Sequence, residues 1–379
     1  MRSGVDRRIV VLGLSLSSSW GNGHASTYRA LLKALAERGY QILFLERDRR
    51  WYAAHRDVKR PRYCTLAFYK RVAELAGWRD EIANADLVVI GSYVPDGVAV
   101  ARFVQEHATG ITAFYDIDTP VTLAKLRQND HEYLAPSLIP NFDLYLSFTG
   151  GPTLDLIESR YGAASARPLY CSVDPALYRP TKARRRWDIG YLGTYSRDRQ
   201  PKLEKLLFEP ARRSPDRRFV VAGAQYPKNV DWPANVDHID HLPPSRHARF
   251  YSSMGWALNL TRDDMVALGY SPSVRIFEAA ACATPMVSDS WRGLDQMLQP
   301  QKEIAVADDP ETVMQLLAMP EEKRAAIGRA ARRRVLAAHT AAHRAATLDE
   351  YLDQLEQRGP QTARLAQTRR EPLPRLVAS

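Results

Sequence analysis

The sequence predicts an α/β chain built from two parallel-sheet domains. Three observations carry that prediction. Short apolar runs rich in Val, Ile and Leu alternate with helical stretches from Ile9 onward, the pattern of a parallel sheet covered on both faces. The alternation stops in a Pro- and Arg-containing stretch, Pro168 to Trp187, and then begins again; interdomain linkers have that composition. The length of 379 residues suits two domains.

Ile9 to Leu14 reads as the first strand. Arg7-Arg8 ahead of it imitates a secretory leader, but the apolar run is short and Ser17-Ser18-Ser19 follow it without a small-residue cleavage site. A Ser/Gly loop leads to a helix, Ala25 to Arg38, closed by Gly39, and Gln41 to Leu45 completes a β-α-β unit. A long polar and aromatic stretch runs from Glu46 to about Asp80. Strands follow at Leu87 to Ile90, Ile111 to Tyr115 and Leu144 to Phe148, with helices at Val98 to Glu106 and Pro152 to Arg160. In the second half, strands are expected at Asp188 to Leu192, Arg218 to Ala222, Val236 to Ile239, Trp256 to Leu260, Met286 to Ser288 and Glu303 to Val306. Helices are expected near Lys202 to Leu207, at His247 to Ser252, at Glu311 to Leu317 after the Asp309-Pro310 cap, and through Glu321 to Leu355. The predicted domains are 1–170, a linker 171–187, a second domain 188–335, crossing helices 336–357, and a disordered tail 358–379.

The stretch Ser271 to Asp289 carries the most chemistry. Ser271 is expected at a helix N-cap with Pro272 at the first helical position. Arg275 and Glu278, three residues apart, share one helix face. The run Ala279 to Ala283 lets the helix lie close to a sheet, and Thr284-Pro285 ends it. A helix N-terminus offers free N–H groups and a positive dipole end, which suits a diphosphate. A carboxylate further in can accept hydrogen bonds from ribose hydroxyls. The bland alternative is a buried amphipathic helix with an Arg–Glu pair on its rim.

The same residues resemble the donor motif of nucleotide-sugar glycosyltransferases of the GT-B type, E-A-x-A-x-G-x-P-V, with Ala283 in place of the Gly. Arg275-Ile276-Phe277-Glu278 is most similar to the CgeB-type members. Ser172-Val173-Asp174 and Tyr178-Arg179-Pro180 resemble their linker, N-G-V-D-x-x-x-F-x-P. The resemblance implies two Rossmann-like domains facing a central cleft, with a nucleotide-sugar, a UDP-sugar first, held by the second domain. It implies Glu278 on the ribose, and Arg275 with the helix start, Ser271 and Ser273, at the diphosphate. Many retaining members carry a second Glu eight residues before the ribose Glu; here that position is Tyr270.

Ligands of open parallel sheets bind at the carboxyl ends of the strands, and that rule selects further residues. The loop Ser17 to Thr27 offers Trp20, Gly21 and Gly23 to an acceptor, and His24 as a base. Tyr93 follows another strand on the acceptor side. Asp116 and Asp118, in YDIDTP, are candidate catalytic or sugar-contacting carboxylates, or else turn formers ahead of a helix. Gly193 and Thr194 allow close approach to phosphate, and Arg197, Arg199 and Lys202 offer charge to a leaving diphosphate. Thr261 to Met265 is a candidate for the donor sugar, and Gly223 to Tyr226 for the base. The spacing of His339 and His343, or of His238 and His241, lacks the Glu of a zinc helix, so no metal and no bound cofactor is expected. The NAD fingerprint fails in GNGHAS, although Glu46 at a strand end would suit a ribose.

The reading is a metal-independent glycosyltransferase of hexosyltransferase type, retaining by resemblance, acting on a glycan, lipid or small-molecule hydroxyl or amine. A nucleotide-sugar epimerase of the same fold, or a non-catalytic nucleotide-binding module, would keep Glu278 equally. The three cysteines, Cys64, Cys171 and Cys282, are widely spaced, which points to reduced thiols and the cytoplasm. The formal charge is +10 and the pI about 9.5, yet no nucleic-acid-binding signature accompanies the basic residues. No nucleic-acid partner is expected, and the charge would suit anionic donors or peripheral contact with an anionic membrane. No apolar run approaches the ~18 residues of a membrane span.

Overall fold

The computed structural model describes residues 7–21 and 23–357; the tail from 358, expected to be disordered, lies outside them. Seven strands form the first sheet: β1 Arg8–Gly13, β2 Gln41–Arg47, β3 Thr65–Tyr69, β4 Leu87–Gly91, β5 Ile111–Asp116, β6 Leu144–Ser147 and β7 Ala166–Pro168. Their order is β3-β2-β1-β4-β5-β6-β7, with every pair parallel. Six strands form the second: β8 Trp187–Leu192, β9 Phe219–Ala222, β10 Val236–Ile239, β11 Met254–Asn259, β12 Met286–Ser288 and β13 Ala305–Val306, ordered β10-β9-β8-β11-β12-β13 and again parallel. These are the two Rossmann-like sheets expected. The continuous apolar runs are central strands: Leu87, Val88, Val89 and Ile90 are all buried, as are Trp256, Ala257 and Leu258. Strands covered by helices on both faces bury every side chain.

Both sheets reverse their strand order once, between β1 and β4 and between β8 and β11. A crevice opens above the carboxyl ends at such a point. The loops there are Ser15 to Gly21 after β1, Ser92-Tyr93 after β4, Gly193-Thr194 after β8 and Leu260 to Arg262 after β11.

Two strands escaped the sequence reading. β3 lies within the polar stretch after Glu46, and β7, three residues long, contains Arg167 and Pro168. Both are edge strands, where half-exposed polar residues and Pro are tolerated. The helix near Lys202 runs longer than expected, from Gln200 to Arg212 with a π-helical turn at Glu204–Phe208. The residues after Thr261 form a short helix, Asp263–Leu268, rather than a loop.

The helical stretch from Glu321 divides at His339-Thr340 into Glu321–Ala338 and Ala341–Gln357. The linker causes the break: Val173 pairs with Thr340, its N–H donating to His339 O at 3.3 Å and its carbonyl accepting from Ala341 N at 2.9 Å. The final helix then lies on the first domain. Arg38 pairs with Asp349, Arg7 with Asp353 and Glu356, and Tyr351 donates to Pro168 O at 3.0 Å. Arg344, buried beside the linker, donates to the carbonyls of Tyr170 and Ala338 at 3.1 Å.

Candidate functional site

A cavity between the domains is lined by Gly193, Thr194, Gly223, Ala224, Tyr251, Arg275 and Glu278 on one side, and by Ser19, Gly21, Gly23 and Ser26 on the other. The helix that supplies Arg275 and Glu278 spans Val274–Ala281 and is capped by Ser273, whose Oγ accepts from Arg275 N at 3.4 Å. The expected cap at Ser271 is therefore corrected by two residues. Ser271 instead accepts at Oγ from Thr149 of the first domain at 2.9 Å. The extended backbone of Ser273 is what a cap requires, and Pro272 precedes it.

Arg275 is 7% exposed and held by neutral acceptors only: Asn259 Oδ1 at 2.8 Å, Ser273 Oγ at 3.3 Å and the carbonyl of Leu192. Its guanidinium stacks on Tyr191, 4.7 Å from the ring centre. Among the described residues it has no carboxylate partner. A Cβ built on Gly193 would come within 2.8 Å of its Nη2, so a side chain there would cover the guanidinium. Gly223 packs directly on the Gly193 carbonyl. Two glycine-bearing loops thus bring the backbone close to this cation.

Glu278, 5% exposed, accepts from Tyr251 Oη at 3.0 Å. Tyr178 of the linker is buried nearby; burial first, then the Glu278 carboxylate, raise its phenol well above the ordinary value. Its hydroxyl also meets His247 Nδ1 at 3.2 Å, and His247 Nε2 lies 3.0 Å from Leu242 O. His241, Leu242, Pro244 and His247 also line the cavity.

The cations predicted after β8 divide. Arg199 donates to Thr194 O at 2.9 Å and is partly buried, whereas Arg197 is exposed. Lys202 turns away to Asp289 at 3.3 Å, Asp263 at 3.0 Å and Thr261 O at 2.6 Å. Arg262 reaches across the cleft, 3.5 Å from Asp118 of the first domain and 3.6 Å from Asp198 of its own.

The two aspartates of YDIDTP differ sharply. Asp116 is fully buried, accepting from Thr122 Oγ1 and Tyr145 Oη, each at 2.6 Å, and burial pushes its carboxyl up to about 6. It anchors β5 to β6 inside the domain. Asp118 faces the cleft, with Tyr93 donating to its Oδ2 at 3.2 Å. Burial raises its carboxyl and the Arg262 guanidinium opposes that. His24 lies edge-on to Tyr93 with ring centres 5.4 Å apart, and burial lowers it to about 4, so it is neutral at neutral pH. Trp20 stacks on His55 at 4.6 Å.

Glu46 is no ribose ligand. It is fully buried and accepts from the backbone N–H groups of Leu16 and Ser17, at 2.7 and 2.8 Å, and from the hydroxyls of Ser15 and Ser17. Its work is to fold the serine loop. Sequence reasoning missed Asn259, Tyr191 and Tyr251, which fix Arg275 and Glu278. All three sit in apolar runs or ordinary helix, and only the tertiary fold brings them to the site. Among the described residues no group of three or more His, Cys, Asp or Glu is placed to hold a metal ion.

The two facing Rossmann-like domains are a GT-B architecture. Structures that share it include sucrose-phosphate synthase from Thermosynechococcus elongatus, with a TM-score of 0.68 at 14% identity, covering 93% of this chain and all of that one. HepE of Anabaena in complex with UDP and glucose gives 0.69 at 12%, over 92% of this chain and 100% of its own. An α-glucosyltransferase in complex with UDP and mismatched DNA gives 0.65 at 12%, over 94% and 100%. Residues 199–350, the stretch that holds Arg275 and Glu278, match the family described as glycosyl transferase-like. No curated protein matches the chain by sequence.

Proposed function

We propose that the protein is a glycosyltransferase that moves a hexose from a UDP-sugar to an acceptor hydroxyl or amine, with retention and without a metal. The observation that carries this reading is the buried Arg275, balanced by neutral acceptors alone and three residues from Glu278 on the same cavity wall. A diphosphate arriving there meets a guanidinium that no carboxylate among the described residues pairs with, in a site of low dielectric, where fixed charge acts most strongly. Glu278, oriented by Tyr251, accepts from the ribose hydroxyls. UDP is favoured because the HepE and α-glucosyltransferase structures hold it.

The bond from the anomeric carbon to the phosphate oxygen breaks through an oxocarbenium-like transition state, and Arg275 with Arg199 meets the charge that grows on the diphosphate. In the retaining course the departing phosphate oxygen takes the acceptor proton. Asp118 is the carboxylate placed to orient the acceptor, through Tyr93, whereas Asp116 lies behind it. His24, neutral, is the second candidate for a proton transfer. Trp20, Gly21 and Gly23 form the acceptor side. The CgeB-type resemblance stays part of this reading. So does the cytoplasm, supported by three cysteines that are all free thiols.

The test is a thermal-shift comparison of UDP, GDP, ADP, CMP and NAD on the wild type and on Glu278→Ala, with no added metal. Saturation at ~100 times the dissociation constant adds about 2.7 kcal/mol. A shift with UDP that Glu278→Ala loses supports the reading. A shift with NAD alone, or with no nucleotide, overturns it.

A further inference from the structure

The segment Arg47 to Arg71 leaves the carboxyl end of β2, covers the acceptor loop and returns as the edge strand β3. It is fastened to that loop at several points. Asp57 and Val58 donate their N–H groups to Ser17 O at 3.0 Å, Ser18 Oγ donates to His55 O at 3.0 Å, and Ser19 Oγ donates to Asp57 Oδ2 at 2.6 Å. Its carboxylates are already committed. Asp48 pairs with Arg56 and Asp57 with Arg29. Arg50, Lys59, Arg60, Arg62 and Lys70 are exposed and have no carboxylate partner among the described residues. Two large apolar side chains stand out among them: Trp51, 52% exposed, and Phe68, 37% exposed. Each has a guanidinium over its ring, Arg49 at 5.6 Å from Trp51 and Arg56 at 3.9 Å from Phe68.

We infer that this lobe docks on an anionic phospholipid surface and presents the acceptor loop to it, so that the acceptor is a membrane-borne molecule. The inference rests on the reading that the first domain takes the acceptor. Charge complementarity selects the partner: exposed lysines and arginines gather at anionic headgroups, each acting within a Debye length. The exposed rings select a bilayer over a nucleic acid. Exposed Trp and Phe rings among unpaired cations match an interface, with the rings at the acyl boundary and the exposed lysines and arginines at the phosphates, whereas a ring already covered on one face is a poor platform for stacked bases. No helix among the described residues is long and apolar enough to cross a membrane, so the contact is peripheral.

The experiment is cosedimentation of the full chain, without nucleotide, with vesicles of phosphatidylcholine alone or mixed with phosphatidylglycerol. Binding is expected only to the mixed vesicles and should fall at raised salt. The combined change Lys59→Glu, Arg60→Glu, Arg62→Glu should weaken it more than ~10-fold. Trp51→Ala should remove fluorescence quenching by brominated lipid. The change Lys182→Glu with Arg184→Glu, on the exposed linker run, should leave binding intact. UDP-induced thermal stabilisation of each variant, measured separately, reports folding and the donor site, so a lost donor site and a lost docking lobe are told apart. No binding to mixed vesicles, loss of binding only in the linker variant, or retention of single-stranded DNA in place of vesicles overturns the inference.

Discussion

Tyr251 donates its phenolic hydrogen to Glu278 Oε2 across 3.0 Å, and both side chains are buried. Tyr251 comes from the helix Pro244–Ser252 and Glu278 from the helix Val274–Ala281, so one hydrogen bond ties two walls of the cavity. A carboxylate already hydrogen-bonded on one oxygen has lost much of its rotational freedom before a ribose arrives. Glu278→Ala should therefore weaken UDP binding ~10- to 100-fold, the worth of a hydrogen bond to a charged group. Tyr251→Phe should cost about fivefold. Calorimetric titration with UDP and its dideoxyribose analogue checks both. The analogue should bind wild type and Glu278→Ala equally, and a continued difference would place Glu278 elsewhere.

Arg275 presents the opposite problem, a buried guanidinium with no carboxylate partner among the described residues. Nature retains such a group at a stability cost when function needs it. Arg275→Met should abolish the preference for UDP over uridine while leaving uridine binding within about twofold, and turnover should fall ~100-fold or more, as for loss of a preorganised charge stabiliser. Titrations with UDP and uridine, together with single-turnover rates, separate the two effects. If uridine binding collapsed as well, Arg275 would be holding the cavity together rather than receiving the diphosphate.

The two aspartates at the end of β5 separate by pH. Burial raises Asp116 to about 6 in the folded chain, against about 3.9 in an unfolded one. The folded state therefore binds the proton more tightly. The favourable contribution is complete below about pH 4, falls as pH rises, and is gone above about pH 6, by ~3 kcal/mol in all. Asp116→Asn should remove that slope and raise stability at neutral pH, as read by urea unfolding at several pH values. Asp118→Asn should instead lower turnover ~100-fold with little change in stability. An Asp116 variant that lost activity and kept the slope would reverse the roles given to the pair.

What the sequence disclosed follows from where each residue's signal lies. The helix that bears Arg275 and Glu278 was legible because a small-residue run and Thr284-Pro285 mark its end, and the central strands because Leu87 to Ile90 are buried on both faces. Ser271 misled because it too is a serine ahead of a helix, and only the contact with Thr149 shows why it is unavailable as a cap. Asp116 and Asp118 looked equivalent because a two-residue spacing says nothing about which carboxylate meets Tyr145 and which meets Arg262. β3 was hidden because edge strands do not need a continuous apolar run. The cross-cleft contacts are long-range in sequence and leave no local trace.

Tyr270 stands eight residues before Glu278, where the resemblance leads one to expect a second Glu, and it is held between the two domains. Its backbone has a positive φ of 50°, its carbonyl accepts from Gly150 N at 3.0 Å, and its ring lies between Gly151 of the first domain and Gly293 of the second. A Cβ on Gly151, itself at φ 59°, would come within 2.5 Å of the Tyr270 ring. Gly151→Ala should thus lose ~1–3 kcal/mol from the left-handed backbone and the crowded ring together. It should also weaken UDP binding, because Tyr270 leads directly into the helix that bears Arg275. Gly77 has nothing within 4 Å of a built Cβ, so Gly77→Ala should stay within ~0.5 kcal/mol of wild type. Urea midpoints and UDP titrations of the two variants make the comparison. Equal stability would show that Tyr270 is not clamped between the domains, and its ring would then be free to take part in recognising the donor sugar.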